Sequence, residues 1–421
     1  MFNRVLILSA TSGAGHIRSA QAIEKAFLAS GTAREVRHVD SLEYTSYVVR
    51  NLYSKTYIDM VNKAPDLLGW LYDASDKPWK NERRRLAFDR LNTRPLVRMI
   101  NDYKPEIVIC THFLPAEIIS WLLCRKKIHT KHVIVVTDFD VHASWLCRHY
   151  DQYFTALQET KEHLVSMGVT RDKVSVSGIP IDPIFAEPKN KMEMRKKYGL
   201  HLERPTILVS AGGFGVGPME ELLHSLRQLK HPAQVIAMCG RNKNLKEKLD
   251  KQAETETGNL IVKAVAHTSD MDEYMAAADM VLGKPGGLTT AEALSKGLVF
   301  VIVNPIPGQE ERNSDHLLEE GVAIRCNNLP ALAYKIDKLL DDPERMKKMH
   351  EAALHLARPR AAEALVYRLL SLQAGSNFPA QDRNDPEHAC KSPKLGKIWK
   401  TGGALVLDGR LKFARRLLRG S

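Results

Sequence analysis

The chain has 421 residues, long enough for two or three domains, and its 44% hydrophobic and 26% charged content is that of a water-soluble globular protein. Six cysteines, at 110, 124, 147, 239, 326 and 390, form no Cys-x-x-Cys pair, which argues against a zinc site or a disulfide framework and for reduced thiols in a cytosolic chain. The net charge of +12 is concentrated at one end: residues 391–421 hold nine Lys and Arg against the single Asp408, so the excess points to an anionic surface as partner of a tail, whether membrane or nucleic acid.

The chain runs from Met1-Phe2-Asn3-Arg4 straight into Val5-Leu6-Ile7-Leu8, too short an apolar run for a signal peptide. It reads as a first strand, and no apolar run nears the roughly 20 residues of a membrane-spanning helix. Short apolar strands then alternate with helical stretches: 5–10 and 17–30, 106–110 and 115–123, 132–137, 153–156 and 159–167, 174–177. Such alternation predicts a parallel sheet covered on both faces. The first strand ends in Ser9-Ala10-Thr11-Ser12-Gly13-Ala14-Gly15-His16, and Ile17, Ala20, Ile23 and Phe27 follow at helical spacing, so His16 stands at a strand-to-helix turn. A plain helix-start residue and a functional histidine both fit that place. Between Tyr44 and Arg98 the alternation breaks down. Tyr44, Tyr47, Tyr53, Tyr57, Trp70, Tyr72 and Trp79 precede or flank a basic cluster at Lys77, Lys80, Arg83, Arg84, Arg85 and Arg90, which suits either an anionic bilayer surface or helical core with a solvated basic face. His112, in Thr111-His112-Phe113, and Asp138, in Thr137-Asp138-Phe139-Asp140, close two strands, with Trp145 just beyond.

Ile179-Pro180-Ile181-Asp182-Pro183 suits a linker. A second set of strands follows it, at 206–210, 234–238, 260–265, 279–282, 299–303 and 322–325, and two such sheets predict two Rossmann-like domains. Ser210-Ala211-Gly212-Gly213-Phe214-Gly215 is a glycine-rich turn before a helix, a weak signal alone. Stronger is Met280-Val281-Leu282-Gly283-Lys284-Pro285-Gly286-Gly287-Leu288-Thr289-Thr290-Ala291-Glu292, a strand, a glycine turn and a helix. The first N–H groups of a helix lack intrahelical partners and carry the positive end of its dipole, so such a turn makes an anion site. Gly286 and Gly287 admit close approach of a phosphate, Thr289 and Thr290 add hydroxyls, and Glu292 is placed for a ribose diol. After the next strand come Gln309, Glu310 and Asn313, the amide and carboxylate groups a sugar needs. Together they suggest a nucleotide-sugar site.

The run 267–313 resembles the donor domain of glycosyltransferase family 28. Within it the chain looks most like the monogalactosyldiacylglycerol synthase and processive diacylglycerol glucosyltransferase group, over roughly residues 1–345. The resemblance implies an α/β protein with the GT-B fold, two Rossmann-like domains facing across a cleft. Residues 1–180 would form an acceptor- and membrane-facing domain and 181–345 a nucleotide-sugar domain; 346–374 would cross back to the first, and 375–421 would form a basic, partly amphipathic tail. It implies that His16 is the base for the acceptor hydroxyl, a role suited to a side chain that titrates near neutrality and is kept neutral by a helix N-terminus. Donor-binding would fall to Gly15, Gly213, Phe214, Gly215, Arg241, Thr268, Gly286, Gly287, Thr289, Thr290, Glu292, Gln309, Glu310 and Asn313, with His112, Asp138 and Trp145 on the acceptor side. Asp138-x-Asp140 is not read as a metal clamp, because it ends a strand of the first sheet, far in sequence from the donor motifs, and the fold resembled usually works without metal.

The expected reaction is inverting transfer of glucose or galactose from a UDP-sugar, a substrate rather than a cofactor, to diacylglycerol, giving a β-linked glycolipid at the cytosolic face of a membrane. A cell-wall N-acetylglucosaminyltransferase and a non-catalytic membrane-bound nucleotide-sugar sensor are the alternatives. A nucleic-acid partner would explain the charge but not Glu292 and Gln309. In the tail, Leu411, Phe413, Ala414, Leu417 and Leu418 fall on one helical half and Lys412, Arg415, Arg416 and Arg419 on the other, as in an interfacial helix.

Overall fold

The computed structural model of the chain describes residues 1–11, 13–44, 60, 64–76, 94–210, 219–255 and 258–374. Two parallel six-stranded sheets build it. The first has the order β2-β1-β3-β4-β5-β6, formed by Phe2–Ser9 (β1), Ala33–Asp40 (β2), Ile107–Cys110 (β3), Lys131–Val135 (β4), Gln152–Thr155 (β5) and Val174–Val176 (β6). Its central strands are continuous apolar runs because helices cover both faces: Ile107, Val108, Ile109 and Cys110 are all fully buried.

Sequence periodicity misses β2. Ala33–Asp40 is an edge strand in which only Val39 is buried, so its sequence carries neither an apolar run nor a buried alternation. The helices on this half are α1 (Ala14–Ser30), α2 (Pro65–Ser75), α3 (Arg94–Tyr103), α4 (Phe113–Cys124) and α5 (Gln158–Ser166).

After α6 (Lys191–Lys197) the second sheet has the order β12-β11-β10-β7-β8-β9. Its strands are Thr206–Ser210 (β7), Ala233–Gly240 (β8), Leu260–Ala266 (β9), Met280–Gly283 (β10), Val299–Val303 (β11) and Ala323–Cys326 (β12), alternating with α7 (Met219–Leu226), α8 (Lys243–Thr255), α9 (Met271–Ala277), α10 (Gly287–Ser295) and α11 (Gln309–Glu319). Three helices complete the described chain: α12 (Leu332–Leu340), α13 (Pro343–Leu356) and α14 (Ala361–Ala374). The last does not stay with the second sheet. Its Ala362, Leu365, Val366 and Leu369 lie in one buried cluster with Phe2, Val5 and Ile7 of β1, Phe27 of α1 and Val133 of β4.

No helix among the described residues is long and apolar enough to cross a membrane. The glycine turn at 213–215, most of the aromatic and basic stretch, and the basic tail lie outside the described residues. Cys110, Cys239 and Cys326 are free and buried, and Cys147 is buried as well.

Candidate active site

Parallel strands end on one edge of their sheet, and the neighbouring ends of β1, β3 and β4 converge on His16. His16 lies in the first turn of α1, whose N-cap Gly13 supplies no side-chain bond. Its Nδ1 is 3.0 Å from the carbonyl oxygen of Thr111 and 2.9 Å from Oγ1 of Thr137. A carbonyl can only accept, so Nδ1 carries the proton and Nε2 keeps its lone pair. The Thr111 hydroxyl donates to the carbonyl of His16 at 2.9 Å, fixing the backbone as well as the ring. Burial lowers the imidazole pKa below 6.5, against the upward pull of the Asp138 charge and the Thr111 bond. The result is a neutral ring with an accepting nitrogen.

His112 lies edge-on to that ring, with centroids 4.5 Å apart, and is almost wholly buried. Its Nδ1 accepts from Leu114 N at 3.0 Å and so caps α4. Trp145, also buried, packs against Phe113 and His112. The structure therefore packs His112 directly against His16, with Trp145 beyond His112.

Across the cleft, α10 begins at Gly287 after the N-cap Gly286, again without a side-chain cap. A Cβ on Gly15 would stand 3.6 Å from that of Leu288, so the first turns of α1 and α10 abut. A Cβ on Gly287 would fall 2.1 Å from the carbonyl oxygen of Thr137. Glycine at 287 is thus demanded by the approach of the two domains, a reason that the local motif did not disclose. At Gly286 the added carbon would meet only Glu310 Oε1 at 3.7 Å, an ordinary contact. Thr289 is half-buried; Thr290 is fully buried, and its hydroxyl has no hydrogen-bond partner among the described residues. Glu292 is 1% exposed and forms an ion pair of 2.6 Å with Arg18 of α1. Burial nevertheless raises its pKa to about 7, with Arg18 opposing.

The start of α11 is fastened to the run that follows β4. Gln309 Nε2 donates to Asp138 Oδ1 at 2.7 Å, and Phe139 N donates to Asn313 Oδ1 at 3.0 Å. Arg312 NH1 donates to Asp140 Oδ2 at 3.0 Å. The other end of the Asn313 amide donates to Pro285 O at 3.0 Å, so both ends are engaged in a fully buried residue. Burial raises the pKa of Asp138, against His16 and the Gln309 and Asn313 bonds. Both carboxylates of Asp138-x-Asp140 are thus committed across the cleft. Glu310 accepts from Ile306 N at 2.7 Å, and burial lifts its pKa to about 7.

Arg241 and Thr268 follow β8 and β9 on the same sheet edge; Arg241 is exposed, and Thr268 Oγ1 accepts from Asp270 N at 3.0 Å. Sequence reasoning missed Arg18, Thr111, Thr137 and Arg312. The two threonines carry a readable signal, since each closes a strand neighbouring the histidine turn; the arginines do not.

Two family descriptions match this chain: residues 16–181 match "Monogalactosyldiacylglycerol (MGDG) synthase" and residues 190–355 match "Glycosyl transferases group 1". The processive diacylglycerol beta-glucosyltransferase of Bacillus pumilus is 29% identical over 359 residues, covering 84% of this chain and 91% of its own. That of Staphylococcus epidermidis is 26% identical over 388 residues, 89% and 94% of the two chains. Among solved structures, Acinetobacter baumannii MurG aligns with a TM-score of 0.57 at 17% identity, covering 88% of this chain and 99% of its own. The UDP complex of Staphylococcus aureus MnaA aligns at 0.58 and 15%, covering 90% and 99%. These last two speak for the fold alone.

Two facing parallel sheets with these family matches define a hexosyltransferase of the GT-B fold. More particularly, the chain resembles the monogalactosyldiacylglycerol synthase and diacylglycerol glucosyltransferase group, with a domain matching the synthase family first and a domain matching the group 1 glycosyltransferases second.

Proposed function

We propose that the protein transfers a hexose from a UDP-sugar to the hydroxyl of 1,2-diacylglycerol with inversion, forming a β-glycosyldiacylglycerol at the cytosolic face of a membrane to which it binds peripherally. The observation that carries the mechanism is the fixed tautomer of His16: Nδ1 is held by Thr111, leaving Nε2 to accept the acceptor's proton as its oxygen attacks the anomeric carbon. The negative charge left on the diphosphate is met by the abutting first turns of α1 and α10, neither of which a side chain caps. Glu292 holds the ribose, with Arg18 beside it, and Gln309 and Glu310 face the hexose. No metal takes part in this scheme.

Glucose is the hexose in the relatives' name, and the assay separates it from galactose. The purified protein is given diacylglycerol in anionic liposomes with UDP-glucose, UDP-galactose or UDP-N-acetylglucosamine, beside His16→Ala. A β-glycosyl lipid formed from one donor, and reduced by about two orders of magnitude or more in the variant, is the expected result. UDP binding without any glycolipid would overturn the acceptor assignment.

A further inference from the structure

Arg312 stands one turn after Gln309 on α11, in the domain of the second sheet, yet its guanidinium is held wholly by groups of the first. NH2 lies 2.7 Å from Asp76 Oδ2 and 3.7 Å from Asp73 Oδ1, NH1 lies 3.0 Å from Asp140 Oδ2, and the group sits 5.1 Å over the ring of Tyr72. Each anchor has its own support. Ala143 N donates to Asp76 Oδ1 at 2.8 Å, and His163 Nδ1 lies 2.9 Å from Asp140 Oδ1. The loop leading into α11 fits the same surface: a Cβ on Gly308 would stand 2.6 Å from the Tyr72 ring, and one on Gly69 of α2 2.8 Å from Pro307 Cβ. At Gly308, φ is +88°, so that position excludes a side chain twice over.

We propose that Arg312 is a positioning residue for recognition of the donor's sugar: by joining α11 to α2 and to Asp140, it sets Gln309 and Glu310 against the hexose without touching the hexose itself. The inference rests on the functional reading above. Asp76 and Asp140 both bond this guanidinium, with the exposed Asp73 at its edge, so removing it breaks the link between α11 and α2 and leaves Asp76 and Asp140 without their shared partner across the seam. The first turn of α11 then drifts from Asp138. The nucleotide half of the donor, placed at α10 and Glu292, is not held through this contact, so the damage falls on the hexose half.

The test is calorimetric titration of wild type, Arg312→Gln, Arg312→Lys and Asp76→Asn with UDP and, separately, with UDP-glucose and UDP-galactose, with melting temperatures alongside. In Arg312→Gln, UDP affinity is expected to stay within about twofold while affinity for the preferred UDP-hexose falls about tenfold. Lys, a point charge that cannot span two carboxylates, gives an intermediate loss. Asp76→Asn removes one anchor, keeps the Asp140 contact and covers the case in which Arg312→Gln does not fold; a smaller loss, again confined to UDP-hexose, is expected. Equal losses for UDP and UDP-hexose, or a lower melting temperature with the affinity ratio unchanged, would overturn the proposal. A wild type that binds no UDP-sugar would instead overturn the functional reading beneath it.

Discussion

At Gly287 one hydrogen atom decides how closely two domains meet. Any side chain there points at the Thr137 carbonyl, which belongs to backbone and cannot rotate away, so Gly287→Ala must push α10 off the end of β4. We expect this variant to lose glycosyl transfer about tenfold or more and to melt several degrees lower, and Gly286→Ala to be much milder; initial rates and melting curves check both. Equal behaviour of the two alanines would refute the steric account. The same site shows what a sequence can disclose. His16, Gly286, Gly287 and Glu292 stand out by residue type and local spacing, because strand-turn-helix chemistry is local. What Asn313 and Gln309 touch does not stand out, since their partners Phe139 and Asp138 lie 174 and 171 residues away. The amides stand out as sugar-binding candidates, while their bonds across the cleft are set by how two separately folded sheets dock.

Among the elements, α2 shows two faces with different tasks. One carries Gly69, Tyr72 and the residues that meet the loop before α11; the other leaves Leu67, Trp70 and Leu71 exposed, Trp70 by 57%. Residues three and four apart share a helix face, so these side chains form one apolar stripe, and a tryptophan there suits the headgroup level of a bilayer. Replacing Trp70 and Leu71 by serine is expected to lower binding to anionic vesicles by about tenfold at low salt with little change in melting temperature, as measured by vesicle sedimentation. Unchanged sedimentation would remove α2 from the lipid-facing surface. Fold legibility followed the same physics at this scale. Buried strands such as Val299–Val303 were readable as apolar runs, whereas β2, wet on most of its length, was not.

For the molecule as a whole, the seam carries a pH signature. Glu292 and Glu310 both titrate at about 7 in the fold, raised from 4.5 by burial, so the folded chain holds protons that the unfolded chain has released. The stability contributed by these two carboxyl groups then falls as pH rises from about 4.5 to 7, by an amount on the order of a few kcal/mol for each group. Glu292→Gln is expected to flatten that decline in melting temperature; parallel curves for variant and wild type would refute it. The return of α14 to the first sheet has a consequence for biosynthesis. Leu365, Val366 and Leu369 cover β1 and α1, yet the ribosome makes them some 330 residues or more after those elements. The domain begun first is therefore finished last: the whole second sheet can assemble while one face of the nascent first sheet still waits for its cover, and a chain released early would expose that face to chaperones or to aggregation.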